Sequence, residues 1–234
     1  TMPWINDVKS ILLTHLAGSM TGPATYNLLF GVTNPSGKLS ETYPLSLDKG
    51  LPGGEFLTSD QNVLYRESLY VGYRYYDTFR EQVLFPFGHG LSYTQFNTSH
   101  HEIEEVKDGY NITMEVTNIG HIRGAEVIGI YTGKSRSLLY GPRKELRAFK
   151  KVYLDPGEKQ KINIFLPTES LKAYCPVKQE WVLENVNYNV YVGINVQTTD
   201  EIFQILVDDA NDLSYLKNYQ KENEMYYRRA DFNQ

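Results

Sequence analysis

Between about Thr98 and Val207 the chain repeats one device, a short run of alternating apolar and polar residues closed by a turn signal. Tyr110–Asn118 reads YNITMEVTN and sets Ile112, Met114 and Val116 on one face, because successive side chains of a strand point to opposite sides. Further runs are Glu126–Tyr131 (EVIGIY), Leu146–Leu154 (LRAFKKVYL), Lys161–Leu166 (KINIFL), Trp181–Leu183, Tyr188–Ile194 (YNVYVGI) and Glu201–Val207 (EIFQILV). Asp155-Pro156-Gly157 turns the chain ahead of KINIFL. No segment between these runs has a helical period, so two packed antiparallel sheets are the expected result.

Roughly seven such strands in about 110 residues predict a β-sandwich of immunoglobulin or fibronectin III type. The single cysteine, Cys175, rules out the inter-sheet Cys pair of antibody domains and so favours the fibronectin III side. It equally excludes an intrachain disulfide framework and a thiolate metal cage.

The first zone, Thr1 to about Pro44, has a different period. Trp4, Val8, Ile11, Leu12 and Leu16 form one helical stripe with Gly18 as its stop, and a second helix fits Pro23–Phe30, with Gly31 just past its end. Asn34-Pro35-Ser36-Gly37 reads as a turn. Two helices and a turn make too small a core to stand alone, so this zone is expected to be the tail of a domain that begins upstream.

Tyr65–Phe96 (YRESLYVGYRYYD, then LFPFGHGLSYTQF) is dense in rings and glycines but lacks a regular period. It predicts an ordered aromatic connector with Tyr70, Tyr73, Tyr75, Phe85 and Phe87 as its packing. The expected divisions are therefore 1–64, the end of an incomplete α/β domain; 65–97, the connector; 98–207, the sandwich; and 208–234, a polar tail or linker. In the tail Leu213, Leu216 and Tyr219 could line a helix capped by Asp212.

Hydrophobic content of 41% and aromatic content of 13% suffice to bury real cores. A net charge of −5 argues against nucleic acid or an anionic membrane as partner. No run approaches the roughly 20 apolar residues of a membrane span.

Several side chains invite a functional reading, and each has a plainer one that is favoured. Glu67 and Arg74 could orient a substrate-facing loop; an ion pair holding the connector to the sandwich is favoured. His89 could titrate in a cleft, but a packed turn histidine fits Gly88-His89-Gly90 better. His100 and His101 beside Glu102 and Glu104 hint at metal binding, yet adjacent strand residues face opposite ways, so a solvated strand start is preferred. Ser36, Ser92 and Cys175 have no base at a readable spacing. Asn97-Thr98-Ser99 and Asn111-Ile112-Thr113 match the glycosylation pattern, which is short enough to arise by chance. Leu138, Leu139 and Tyr140, in an exposed loop from Lys134, suggest an apolar contact with a neighbouring domain.

These segments also carry a resemblance. MPW at Met2–Trp4, the helix with Gly18, ATYNLLFG at Ala24–Gly31, NPSGKL at Asn34–Leu39, ETYP at Glu41–Pro44 and VGYRYYD…FPFGHGLSYT at Val71–Thr94 resemble the end of the α/β-sandwich domain of glycoside hydrolase family 3. VTNIG at Val116–Gly120, GAEVIGIY at Gly124–Tyr131, PRKELRAFKKV at Pro142–Val152 and LDPGE at Leu154–Glu158 resemble the fibronectin III-like domain that follows in many members. Leu171 and Tyr174, and WVLE…YNVYVG at Trp181–Gly193, extend the likeness. Asn187 stands where the family usually has Gly, and Cys175 where Asp is common; only local turn geometry should change.

The resemblance implies the fold: mostly β, a fibronectin III-like sandwich preceded by an incomplete α/β-sandwich segment. It also implies a retaining exo-acting β-glycosidase of β-glucosidase type, in which one carboxylate attacks the sugar and another serves as acid, then base. The nucleophilic Asp belongs to a separate (β/α)8 barrel, and the acid/base Glu lies well before NPSGKL. With about 33 residues ahead of that motif, neither is expected here, and no catalytic, cofactor or metal residue is assigned. The implied partners are the barrel in cis and a β-linked oligosaccharide or aryl glycoside; a homodimer is compatible with the family. The alternative is a free-standing fibronectin III-like module that binds carbohydrate or protein.

Overall fold

A strand forms where an alternating run finds a neighbour for its backbone groups, and the register shows which runs did. The computed structural model describes residues 2–46, 67–207, 213, 216 and 217. In chain order the elements are helix α1 (Thr21–Leu29), strand β1 (Tyr43–Pro44), helix α2 (Tyr73–Phe79), β2 (Val83–Phe85), β3 (Phe96–Val106), β4 (Gly109–Asn118), β5 (Gly124–Lys134), β6 (Glu145–Leu154), β7 (Lys159–Pro167), β8 (Ala173–Cys175), β9 (Glu180–Val182), β10 (Asn187–Gly193) and β11 (Thr199–Leu206).

The sandwich is built of two antiparallel sheets, β11-β10-β5-β6 and β3-β4-β7. Met114 sits opposite Ile162 and Ile112 opposite Ile164 in one sheet, while Val190 pairs with Thr132 in the other. Between them lies a core of Ile112, Met114, Val116, Ile128, Ile130, Leu154, Leu166 and Val190, each wholly buried. Burying one such side chain stabilises the fold by roughly 1.5–3 kcal/mol. From Tyr110 onward burial along β4 alternates residue by residue, as it must when one face meets the core and the other meets water. Along β5 nearly every residue is buried. Its outer face is covered as well, by Asn34–Leu39 and the aromatic connector.

Several expectations are corrected. The stripe from Trp4 to Leu16 does not form a helix: apart from a 3₁₀ turn at Ile5–Asp7 it is irregular, and Leu16 is fully exposed. A single helical stripe is marginal without a surface to pack on, and no described residue supplies one. The second helix is present as α1, starting two residues before Pro23. Asn34–Gly37 is not a turn but runs without bends. The side chain of Asn34 is spent at a distance, accepting from Ser92 Oγ and the Tyr93 amide and donating to the Arg123 carbonyl.

The connector is not free of regular structure, since it contains α2 and β2, and β2 pairs with β1. The solvated strand start read at His100 and His101 is part of a longer strand, β3, whose sequence FNTSHHEIEEV is that of a charged edge strand rather than an apolar run. The Trp181 run, read as part of the sandwich, instead pairs with β8 in a separate hairpin. Tyr65, Asp212 and Tyr219 lie outside the described residues.

Candidate functional site at the aromatic seam

The connector meets the outer face of β5, β6 and β10, and the rings named from the sequence do the packing. Gly72, at a positive φ of 61°, lets the chain enter α2, and Arg80 in the left-handed region closes it. Tyr73 stacks on Phe87 with centroids 4.5 Å apart, among Tyr131, Val196, Leu146 and Tyr191. Its hydroxyl accepts from the Leu146 amide at 2.8 Å. Burial pushes the Tyr73 and Tyr131 phenols up, so both stay neutral. Tyr70 and Tyr75 pack on Phe79, and Phe85 on Tyr43.

Ion pairs close the seam. Arg74 Nε donates to Glu145 Oε1 at 3.2 Å, and Glu145 is also held by Arg147. The expected ion pair to the sandwich therefore exists, with Glu145 rather than Glu67 as the partner. Asp77 Oδ1 accepts from Lys144 at 3.2 Å and from Arg143 at 3.5 Å. Lys144 also donates to the Val196 carbonyl and the Thr199 hydroxyl, and its ammonium lies 5.5 Å from the Tyr191 ring centroid. Burial lowers the Lys144 pKa, and the Asp77 charge acts in the opposite direction.

A second anchor joins Lys38–Leu39 to the Pro86–Gly90 turn. The Leu39 amide donates to the His89 carbonyl and the Gly88 amide to the Leu39 carbonyl, each at 2.8 Å. Lys38 pairs with Glu126 at 2.7 Å and reaches the Gly90 carbonyl. Gly88 has a φ of +83°, and a Cβ there would stand 2.9 Å from Asn195 Cα. That close approach seats the β10–β11 turn, whose Val196 amide donates to the Phe87 carbonyl.

At the end of β5, buried Glu184 accepts from Lys134 Nζ at 2.6 Å, from Ser137 Oγ, and from the amides of Leu138 and Leu139. Hence the Leu138–Leu139 loop is not the exposed apolar contact expected. Leu139 is buried against Cys175, Val182, Leu213 and Leu216.

Chemically this is a set of clamps. The three buried carboxylates among the described residues, Asp77, Glu126 and Glu184, each face a lysine from a distant segment. Two family models cover most of the same ground. The Glycosyl hydrolase family 3 C-terminal domain matches residues 1–93, and the Fibronectin type III-like domain matches residues 126–196. Thermostable beta-glucosidase B of Acetivibrio thermocellus is 40% identical over 82% of this chain and 26% of its own length. A beta-glucosidase of Kluyveromyces marxianus is 32% identical over 97% of this chain and 25% of its own. Among solved structures, the GH3 beta-glucosidase of Bifidobacterium adolescentis superposes with a TM-score of 0.84 at 31% identity, covering 88% of this chain and 31% of that one. Beta-glucosidase 3B of Thermotoga neapolitana, in complex with glucose, does so with a TM-score of 0.84 at 33% identity, covering 90% and 30%.

The chain belongs to glycoside hydrolase family 3. It spans about a quarter of the length of the curated relatives it matches.

The family 3 motifs explain which polar residues are buried. Asp77 is the last letter of VGYRYYD, Lys38 belongs to NPSGKL, Glu126 to GAEVIGIY, Lys144 to PRKEL and Glu184 to WVLE. Asn118 in VTNIG is another: wholly buried, it accepts from Thr94 Oγ1 and donates to the Ile122 and Leu154 carbonyls. None of these six was singled out from sequence. The available signal was a charged or amide letter inside an otherwise apolar or turn-forming motif.

The residues singled out from the sequence are placed as follows. His89 packs on Phe85 and its amide closes the turn onto the Pro86 carbonyl, as a packed turn histidine should. Strand β3 has a bulge at the two histidines, with His100 at a φ of 51°, so simple alternation does not hold there. His100 lies outside, near Glu115, while buried Nε2 of His101 lacks a hydrogen-bond partner among the described residues. Glu102 pairs with Lys161 at the surface, and Glu104 is exposed. Ser36 accepts from Lys151, and Ser92 donates to Asn34. Asn97 is exposed and Asn111 half-buried on the outer side of the β3-β4-β7 sheet.

Proposed function

We propose that this chain is a non-catalytic portion of a retaining, exo-acting β-glycosidase of β-glucosidase type, scaffolding a catalytic (β/α)8 barrel carried elsewhere in the same polypeptide. The observation that carries this reading is the apolar surface of the first zone. Trp4, Val8, Ile11, Leu12, Leu16, Met20, Tyr26, Leu29, Phe30 and Val32 are all exposed. A self-sufficient sandwich module has no use for such a surface, and monomeric proteins rarely leave one uncovered. In this reading residues 1–64 complete an α/β domain, 65–97 lock it to the sandwich of 98–207, and the remainder of the enzyme covers the exposed face.

The buried carboxylates support the same division of labour. Retaining hydrolysis needs two carboxyl groups about 5–5.5 Å apart, one of them free to give up a proton. Asp77, Glu126 and Glu184 are each committed to a lysine. The substrate, a terminal β-linked sugar, is then hydrolysed by residues outside this chain.

The test is hydrolysis of an aryl β-glucoside by the isolated chain, alone and after mixing with the separately expressed remainder of the enzyme. Activity only in the mixture is expected. Turnover by the 234-residue chain alone would overturn the proposal, and saturable sugar binding without any complementation would favour the interaction-module alternative.

A further inference from the structure

The strongest uncommitted feature lies beyond β11. Leu213 and Leu216 are 4% and 0% exposed, buried in a cluster with Leu139, Cys175 and Val182, while their neighbour Lys217 points to solvent. The Leu216 amide donates to the Leu213 carbonyl at 2.9 Å, and both side chains enter the same cluster. The receiving surface is assembled from the Lys134–Tyr140 loop and the β8–β9 hairpin, whose inward residues are Cys175 and Val182.

From these contacts we infer that the segment beyond β11 is a strap of the sandwich domain and not a linker, with Leu213 and Leu216 as its docking residues. Its occupancy of the loop–hairpin surface matters to the buried charge nearby. Leu139 contributes its side chain to the leucine cluster and its amide to Glu184. Removing the strap opens one wall of the site that keeps the Glu184–Lys134 pair dry, and uncovers the Cys175 thiol. The occupant is the chain's own C-terminal segment, acting within one molecule.

Cys175 is the chain's single cysteine and is 0% exposed, which makes it the reporter. The experiment measures the rate of Cys175 alkylation by iodoacetamide in the 234-residue chain, in Leu213→Ala/Leu216→Ala, and in Leu206→Ala, a control at an exposed leucine. All are compared below their unfolding transitions, with far-UV circular dichroism confirming the sandwich. Local opening should speed alkylation of the double variant by roughly tenfold or more, with the control unchanged. A chain ending at Val207 should react as fast as the double variant, and a peptide spanning 208–234 added to it should slow the reaction. Equal slow rates in the parent and the double variant would overturn the proposal. So would protection of the parent that disappears on dilution, which would place the leucines on a second copy. Should the truncated chain fail to fold, the full-length double variant still decides the matter.

Discussion

Lys144 and Asp77 face each other at 3.2 Å with side chains 4% and 3% exposed, so the seam closes around a charge pair that water hardly reaches. Lys144 also holds the β10–β11 turn through Val196 and Thr199. One ammonium group therefore ties α2, the entry to β6 and that turn together.

Breaking such a pair from one side leaves the other charge buried, which typically costs roughly 3–5 kcal/mol. Lys144→Met is expected to fall in that range in urea unfolding. Lys144→Met/Asp77→Leu should recover much of the loss, because no stranded carboxylate remains. A single-variant loss below about 1 kcal/mol, the scale of an exposed pair, would mean that the pair is structurally idle.

The same lysine predicts a pH dependence. Burial lowers its folded pKa below the usual 10.5, with Asp77 opposing. Between that lowered value and the unfolded one, the unfolded chain binds more protons, so this group's contribution to stability rises with pH. The wild-type minus Lys144→Met difference in unfolding free energy should increase as pH is raised through the alkaline range. A difference that shrinks would show that the folded pKa is raised instead.

His89 gives the corresponding acid-side prediction. Burial, and then Lys38, lowers its pKa below 6.5. As pH falls from the unfolded value towards the folded one, the unfolded state takes up the proton first and stability is lost. Ring-proton NMR should show His89 titrating below the ordinary imidazole value of 6.5; a midpoint at or above it would overturn the prediction.

Gly88 and Gly157 separate strain from collision. Both have positive φ, but only at Gly88 would a Cβ meet backbone, at Asn195. Gly157→Ala should cost about 1 kcal/mol for its left-handed conformation alone. Gly88→Ala adds a steric clash and should cost roughly 1–3 kcal/mol more, read as a lower Tm.

Glu184→Ala removes the acceptor of Lys134, Ser137 and two amides at once. A loss of roughly 3–5 kcal/mol in denaturant unfolding is expected. Glu184→Gln should lose less, since one amide oxygen still accepts. Equal losses would point to packing rather than to the acceptor set.

Much of the sandwich was legible because YNITMEVTN, KINIFL and YNVYVGI alternate over one buried face, and period two leaves little choice of register. Strand β3 showed only as a solvated start at His100 and His101, since an edge strand is rich in charge and its pairing is set by β4. The Trp4–Leu16 stripe misled for the opposite reason: its period is helical, but period alone does not hold a helix without a packing partner. At the seam the rings were readable from composition. The ion pairs were not, because Lys38 and Glu126, or Asp77 and Lys144, are far apart in sequence and meet only when the chain has folded.

The covering of the β5 outer face gives the sandwich a direction. One sheet is roofed by the connector and by Asn34–Leu39, whereas the other presents Glu102, Glu115, Lys159 and Lys161 in pairs at the surface. The domain thus has a mated side and a wetted side, and a neighbour approaching from the wetted side would have to strip water from paired charges.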